Sequence, residues 1–336
     1  MTEPLSKRSE ILFLYDVTDA NPNGDPDENK PRIDPISGLN LVTDVRLKRT
    51  VREYWKDFKG KKIFIDLEAK NQDGTVQTGE QRFNDFKNLE GMMKECIDVR
   101  AFGALIPIKG TAKKGKSPSK EASAEESSDE ANGPDDEEDE SNKRSIKYIG
   151  PVQFRVGRSL HKVNLVRIKQ SAAFASGAKK YQRSIGEKYL VNYSLVKFYG
   201  VVNEHNAHNT GFSEEDAQAM FEAMWNGTKN LMTSSKFGHM PRLLVRVEYN
   251  EPNYFIGELD SLIRLSPNDG IKSESDILSV RDFTVDVDEL LTNLIDVKEK
   301  IARVQIICDR RLSLNKPIED SLKSAKIEVE QFAFSK

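Results

Sequence analysis

Residues 109–144 leave almost nothing to bury: Lys, Ser, Glu, Asp, Gly and Ala dominate the stretch. Such a segment cannot offset the entropy of its own ordering and is expected to be disordered. The hydrophobic core must therefore come from what lies on either side, and 336 residues with 37% hydrophobic side chains supply enough for one sizeable core. The segment is also polarised. Lys113, Lys114, Lys116 and Lys120 come first, and residues 121–140 then carry eleven Asp and Glu and no Lys or Arg. A tolerated surface-loop insertion explains this; a nucleic-acid mimic that shields a nearby basic groove is the alternative.

That run hides the character of the rest. The whole chain has a formal charge of −3, but without the eleven acids 43 Asp and Glu face 51 Lys and Arg, a net charge of +8. A basic body points to a polyanionic partner. No run approaches the roughly 20 apolar residues needed to cross a bilayer, and residues 1–10 lack the apolar stretch of a secretory signal. Cys96 and Cys308 are the two cysteines. Two thiols so far apart give no disulfide framework and no metal-ligand cluster, which suits a reducing cytosol. A cytoplasmic protein with no cofactor and no membrane contact is expected.

The flanks alternate strand and helix patterns. "EILFLYDVT" (residues 10–18) reads as a strand with Ile11, Phe13, Tyr15 and Val17 on one face. After a loop punctuated by Pro and Gly, residues 43–58 place Leu47, Val51, Tyr54, Trp55 and Phe58 at helical spacing. "KIFIDL", "IKYIGPVQFRV" and "YLVNYSLVKFYGVVN" read as strands. Ser213 opens a helix whose Met220, Phe221, Met224, Trp225 and Met232 form an apolar stripe. "PRLLVRVEY", "ILSVRDFTVDV", a helix near 288–300, and the closing strands "ARVQIIC" and "AKIEVEQFAF" complete the series. The order suggests an α+β fold: an antiparallel sheet backed by two helices, ferredoxin-like or RRM-like, with large insertions.

Two basic regions stand out. Residues 141–186 hold eleven Lys and Arg, among them Arg155, Arg158, Arg167 and Lys169, and no Asp or Glu. Tyr148, Phe154, Phe174 and Tyr181 are interspersed. A one-signed segment repels itself unless a polyanion neutralises it, and the aromatics offer surfaces for bases to wedge against. On the first helix, Arg49, Arg52 and Lys56 fall on one face with Arg46 and Lys48 adjacent, opposite the Leu47/Val51/Tyr54/Phe58 stripe.

Metal and nucleophile chemistry find less. Asp19, Asn21, Asn23 and Gly24 match the first half of a calcium loop, but Lys30 stands where a bidentate Glu is required. Tight turns with side-chain-to-backbone bonds account for the loop. His161, His205, His208 and His239 bring no HExxH or CxxC with them. Asp16, Asp19, Asp25, Asp27 and Asp34 cluster near the first strand, where turn formation explains Asp better than a carboxylate nuclease does.

The stretch "FLYDVTDANPNGDPDENKPRIDPISGLNLVTDVRLKRTVREYW" closely resembles the N-terminal signature of the RNA-binding backbone subunits of type I Cascade complexes, the seventh Cas family of the RAMP superfamily. The I-B and I-C branches are nearest. The resemblance continues through "DVRAFGALI", "GPVQFRVGRSL", "YGVVNEHNAHNTGFSEEDAQAMFEAMW" and "GHMPRLLVRVEY", covering about residues 10–250 in order. It implies an RRM-like palm (1–108 and 186–336) with inserted finger and thumb elements, the insertion at 109–144, and a basic thumb-like arm at 145–185. It further implies that copies of the chain stack along one CRISPR RNA beside other Cascade subunits. The guide bases are left to pair with target DNA. By position, Lys48 and Arg49 match the guide-contacting helix, Arg32 the preceding loop, Arg100 the "DVRAFG" block, and Arg155 and Arg158 the start of the basic segment. Phe174 is the expected wedge at the thumb tip. Lys236 and His239 lie in "SSKFGHM", where related branches often carry an Arg-rich loop. Type III relatives cut target RNA with an aspartate and type I subunits do not. A metal-dependent RNA-cleaving subunit and a solitary RRM-type RNA-binding protein are the alternative readings.

Overall fold

The computed structural model describes residues 3–86, 88–109, 143–171 and 185–334. Most of the expected disordered insertion, and Phe174 with the expected arm tip, lie outside the described residues.

Strand β1 (Ser9–Ala20) is the axis of the fold. Ile11, Phe13, Tyr15 and Val17 are buried in one core, and Leu12 and Leu14 in a second core on the other face. A strand covered on both faces needs no polar alternation, so the unbroken apolar run Ile11–Tyr15 lies in its first half. The chain continues through β2 (Leu39–Val42), α1 (Asp44–Lys59), the short helices α2 (Gly79–Asn84), α3 (Leu89–Glu95) and α4 (Ile97–Phe102), and the ribbon of β3 (Gly103–Lys109) and β4 (Lys143–Ile149). Next come β5 (Val152–Phe154), β6 (Gly157–Lys162), β7 (Leu165–Ser171), β8 (Ile185–Val202), α5 (Glu204–Thr210), α6 (Glu214–Glu222) and β9 (His239–Tyr249). The last part holds β10 (Arg264–Pro267), β11 (Phe283–Asp286), α7 (Asp288–Asp296), β12 (Ile301–Cys308), α8 (Ile318–Ser324) and β13 (Val329–Gln331).

Among the described residues a nine-stranded sheet runs β13-β12-β9-β1-β8-β6-β2, with β5 and β7 also on β8. Every pairing is antiparallel except β12 with β13. The fold is thus α+β with a mostly antiparallel sheet. At its centre the spatial order is β9-β1-β8-β6, with α1 between β1 and β6 in sequence and α6 between β8 and β9. The ribbon of β7 and β8 pairs residues 165–171 with 191–185 and runs on past the last β1 partner, Ala20 opposite Val191.

Helix α1 forms where the sequence places it. Thr43 caps it by accepting from the Arg46 N–H, and Gly60, at φ 60°, closes it in the left-handed conformation. Leu47, Val51, Tyr54 and Trp55 face the first core with Met220, Phe221 and Met224. Trp55 is fully buried and donates from Nε1 to the Ala219 carbonyl at 3.0 Å. Removing so large a buried ring costs about 3–5 kcal/mol. Phe58 lies outside this stripe: it is 58% exposed and stacks on Tyr54 from the solvent side. Met232 also leaves its expected stripe, because the helix, extended by a π-turn over Ala223–Gly227, ends before it. Helices cover both faces of the sheet, since α7 places Leu290, Leu291 and Leu294 in the second core.

Three strand expectations change. "KIFIDL" forms no strand, because the Phe64 and Ile65 N–H groups donate to the buried Asp98 carboxylate at 2.7 and 3.1 Å instead of to a neighbouring strand. "IKYIGPVQFRV" breaks at Gly150-Pro151 into β4, which pairs with β3, and β5, which pairs with β8. Of "AKIEVEQFAF", Val329–Gln331 alone is strand.

Candidate nucleic-acid interface

Three segments meet beside the first half of α1: the loop after β1, α1 itself, and the turn before β9. The loop is built from its own polar side chains. Asn21 Nδ2 donates to the Asn29 carbonyl at 2.8 Å, Asp25 Oδ1 accepts from the Asp27 and Glu28 N–H groups, and Asp34 Oδ1 accepts from Ile36 and Ser37. Asn23 Oδ1 accepts from both the N–H and the hydroxyl of Thr43 at 2.9 Å, which ties the loop to the helix cap. These Asn and Asp residues therefore serve turns, as their sequence context suggests. Among the described residues no group of three His, Cys, Asp or Glu could hold a metal ion. Asp16 is buried in β1, where Arg242 Nε donates to it at 2.7 Å and the Tyr193 hydroxyl at 2.9 Å.

The turn over residues 233–238 is held from several sides. Lys236 and Phe237 N–H groups donate to the Thr233 carbonyl at 3.1 and 2.9 Å. Thr18 N–H donates to the Gly238 carbonyl at 3.1 Å and Asn21 N–H to the Ser235 carbonyl at 2.8 Å. Lys236 Nζ donates to the Asn21 carbonyl and Lys188 Nζ to the Ser234 carbonyl. Gly238 sits at φ 112°, and a Cβ there would lie 2.4 Å from the Thr18 carbonyl oxygen. Only glycine fits so close an approach.

This arrangement collects cations. Arg49 Nε and an Arg46 terminal nitrogen share one carboxylate, Glu53, at 2.6 and 3.2 Å. Lys236 stands near both guanidiniums. Burial, then Arg46 and Arg49, lower its pKa to about 8, with Glu53 opposing. Among the described residues, Arg46 and Arg32 each keep a buried Nε with no hydrogen-bond partner. Lys30 lies over the Tyr189 ring at 5.0 Å, at the root of the β7–β8 ribbon. Like charges crowded around one carboxylate leave unneutralised positive potential, which phosphates would relieve.

The expected contact residues divide into three groups. Arg46, Arg49 and Lys236 gather at this junction, and Arg32 lies in the adjoining loop, its N–H donating to the Asn23 carbonyl. Arg155 and Arg158 are exposed and pair with Glu258 at 2.9 Å and Asp34 at 3.3 Å, and Arg167 pairs with Glu187. Solvent screens exposed pairs of this kind, so these guanidiniums remain available to a phosphate. Lys169 is exposed on β7.

The others are taken up inside the chain. Arg52 Nε donates to the buried Asp98 carboxylate at 3.0 Å, and its guanidinium lies over the Phe102 ring. Arg100 grips Asp216 with two bonds of 2.7 and 2.8 Å and donates to the Met93 and Lys94 carbonyls. Lys48 pairs with Asp44 at 2.9 Å against the same Phe102 ring, with its side chain only 13% exposed. His239 is buried, donates from Nδ1 to the Lys236 carbonyl, and stacks on Tyr15. Burial lowers its pKa to about 3, so it is neutral at physiological pH. Sequence spacing shows a helix face, but not the neighbour that covers it. Lys30, two residues after Glu28, and Lys188, next to Glu187, carry no signal that would have singled them out.

Residues 7–288 match the family described as CRISPR-associated protein Cas7. A curated relative, the CRISPR-associated protein Cas7 of Haloferax volcanii, is 33% identical over 333 residues, covering 92% of this chain and 88% of its own length. Two solved structures, a CRISPR RNA-guided surveillance complex and a CRISPR RNA-guided surveillance complex in a pre-nicking state, align at a TM-score of 0.45 with 12% and 11% identity. These alignments cover 95% of this chain and 98% and 100% of theirs. Likeness at that level fixes neither fold nor function.

Proposed function

Because the chain belongs to the CRISPR-associated protein Cas7 family, we propose that it is the guide-RNA-binding backbone subunit of a CRISPR surveillance complex of the Cascade kind. The observation that carries the reading is the crowding of Arg46, Arg49 and Lys236 around the single Glu53 carboxylate. Phosphates of a single RNA strand neutralise that cluster, and Arg32 and the exposed Arg155, Arg158, Arg167 and Lys169 extend the track. Contact of this kind grips the backbone without reading bases. Sequence is then read through base pairing between the guide and target DNA.

The strand order β9-β1-β8-β6 with crossing helices α1 and α6 supports an RRM-like, βαββαβ palm. The β7–β8 ribbon that runs past β1 serves as the thumb-like arm, reaching the next copy along the RNA. The subunit positions RNA and does not cut it. Asp16, the buried carboxylate of the central strand, is held by Arg242 and Tyr193 and faces no solvent.

The double substitution Arg49→Ala with Lys236→Ala tests the site. RNA affinity should fall at least tenfold near physiological salt, and the slope of log affinity against log salt should shrink by about 1.4, as two lost phosphate contacts on a single strand require. An unchanged slope in a folded variant would remove the cluster from the RNA path.

A further inference from the structure

We propose that Phe237 is a nucleobase-stacking residue, so that the junction holds a base as well as phosphates; this rests on the RNA-binding reading above. Phe237 is 70% exposed. An aromatic ring left in water on a loose loop would mean little. This one stands on a turn whose backbone is fixed by the Thr18, Asn21, Thr233 and Lys188 hydrogen bonds, so the residue that carries the ring is set in place before any partner arrives. Its neighbour Lys236 belongs to the cation cluster, which sets an aromatic face beside a phosphate-binding charge as a base sits beside its own phosphate along a strand. Stacking on a rigid aromatic is tolerant of sequence, because every base has a π-face. The cation cluster that its neighbour Lys236 joins with Arg46 and Arg49 favours a polyanion over a protein surface as the occupant. A second protein on this ring is the competing outcome.

The full chain is titrated with a mixed-sequence RNA oligonucleotide and with an abasic oligomer of equal length and charge, for wild type, Phe237→Ala and Phe237→Tyr. Phe237→Ala should weaken binding of the base-bearing RNA about 5- to 150-fold. It should leave the abasic oligomer unchanged, and Phe237→Tyr should restore affinity. Equal losses on both oligomers, or no loss on either, would overturn the stacking assignment while leaving RNA binding in place. Failure of the wild type to bind RNA at all would overturn the reading beneath it.

Discussion

Lys236 is the residue at which burial and like charge act in one direction. Its pKa is lowered to about 8, so it is charged below that pH and neutral above it. A phosphate placed beside it favours the charged form and raises the pKa again. RNA binding above pH 8 must therefore take up a proton, and affinity should fall several-fold between pH 7 and pH 9. In a Lys236→Arg variant, whose guanidinium stays charged throughout, the profile should be flat; equal pH dependence in both proteins would place the proton elsewhere. Arg49 and Arg52 make the complementary pair on α1. They are three residues apart on one basic face, yet Arg52 holds the buried Asp98 carboxylate while Arg49 lies half in solvent. Arg52→Ala strands a buried charge and should cost about 3 kcal/mol in urea unfolding, with RNA affinity per folded molecule unchanged. A variant as stable as wild type would mean that Asp98 is satisfied by the Phe64 and Ile65 N–H groups alone.

At the scale of elements, the long periodic segments were legible: β1, α1, β8 and β9 lie where their apolar patterns fall. What pattern could not supply is partnership. "KIFIDL" has a strand's composition, but its N–H groups go to Asp98, a residue about 30 positions further along the chain. Strand β6, "GRSLHK", is polar enough to read as loop and becomes a strand because β8 and β2 flank it. The candidate site follows the same rule. Charge marked Arg46 and Arg49, and the resemblance alone pointed to Lys236, whereas the turn that holds Lys236 in place depends on Gly238, where a Cβ would come within 2.4 Å of the Thr18 carbonyl oxygen. Gly238→Ala adds both a clash with the Thr18 carbonyl and a strained φ. It should lower stability by about 1–3 kcal/mol and weaken RNA binding together with it. A stable variant with wild-type affinity would show that the turn is not what positions Lys236.

For the whole molecule, composition and topology converge once the acidic run is separated from the body. Outside residues 121–140 the chain carries a net +8, and its sheet is covered by helices on both faces. Ligand contact is therefore left to the loops, the helix face and the ribbon at the rim. On the proposed reading, a body of that kind lies along a polyanion without enclosing it, and repeated copies extend the track. The central claim is that each copy covers a fixed length of RNA backbone without sequence preference and without cutting. It is tested most directly by the native mass of complexes formed on RNAs of increasing length, with divalent metal present. The predicted result is a bound copy number that rises in even steps with RNA length, alike for unrelated sequences, on RNA that stays intact. One copy at every length, binding confined to a particular sequence, or regularly spaced fragments would contradict it.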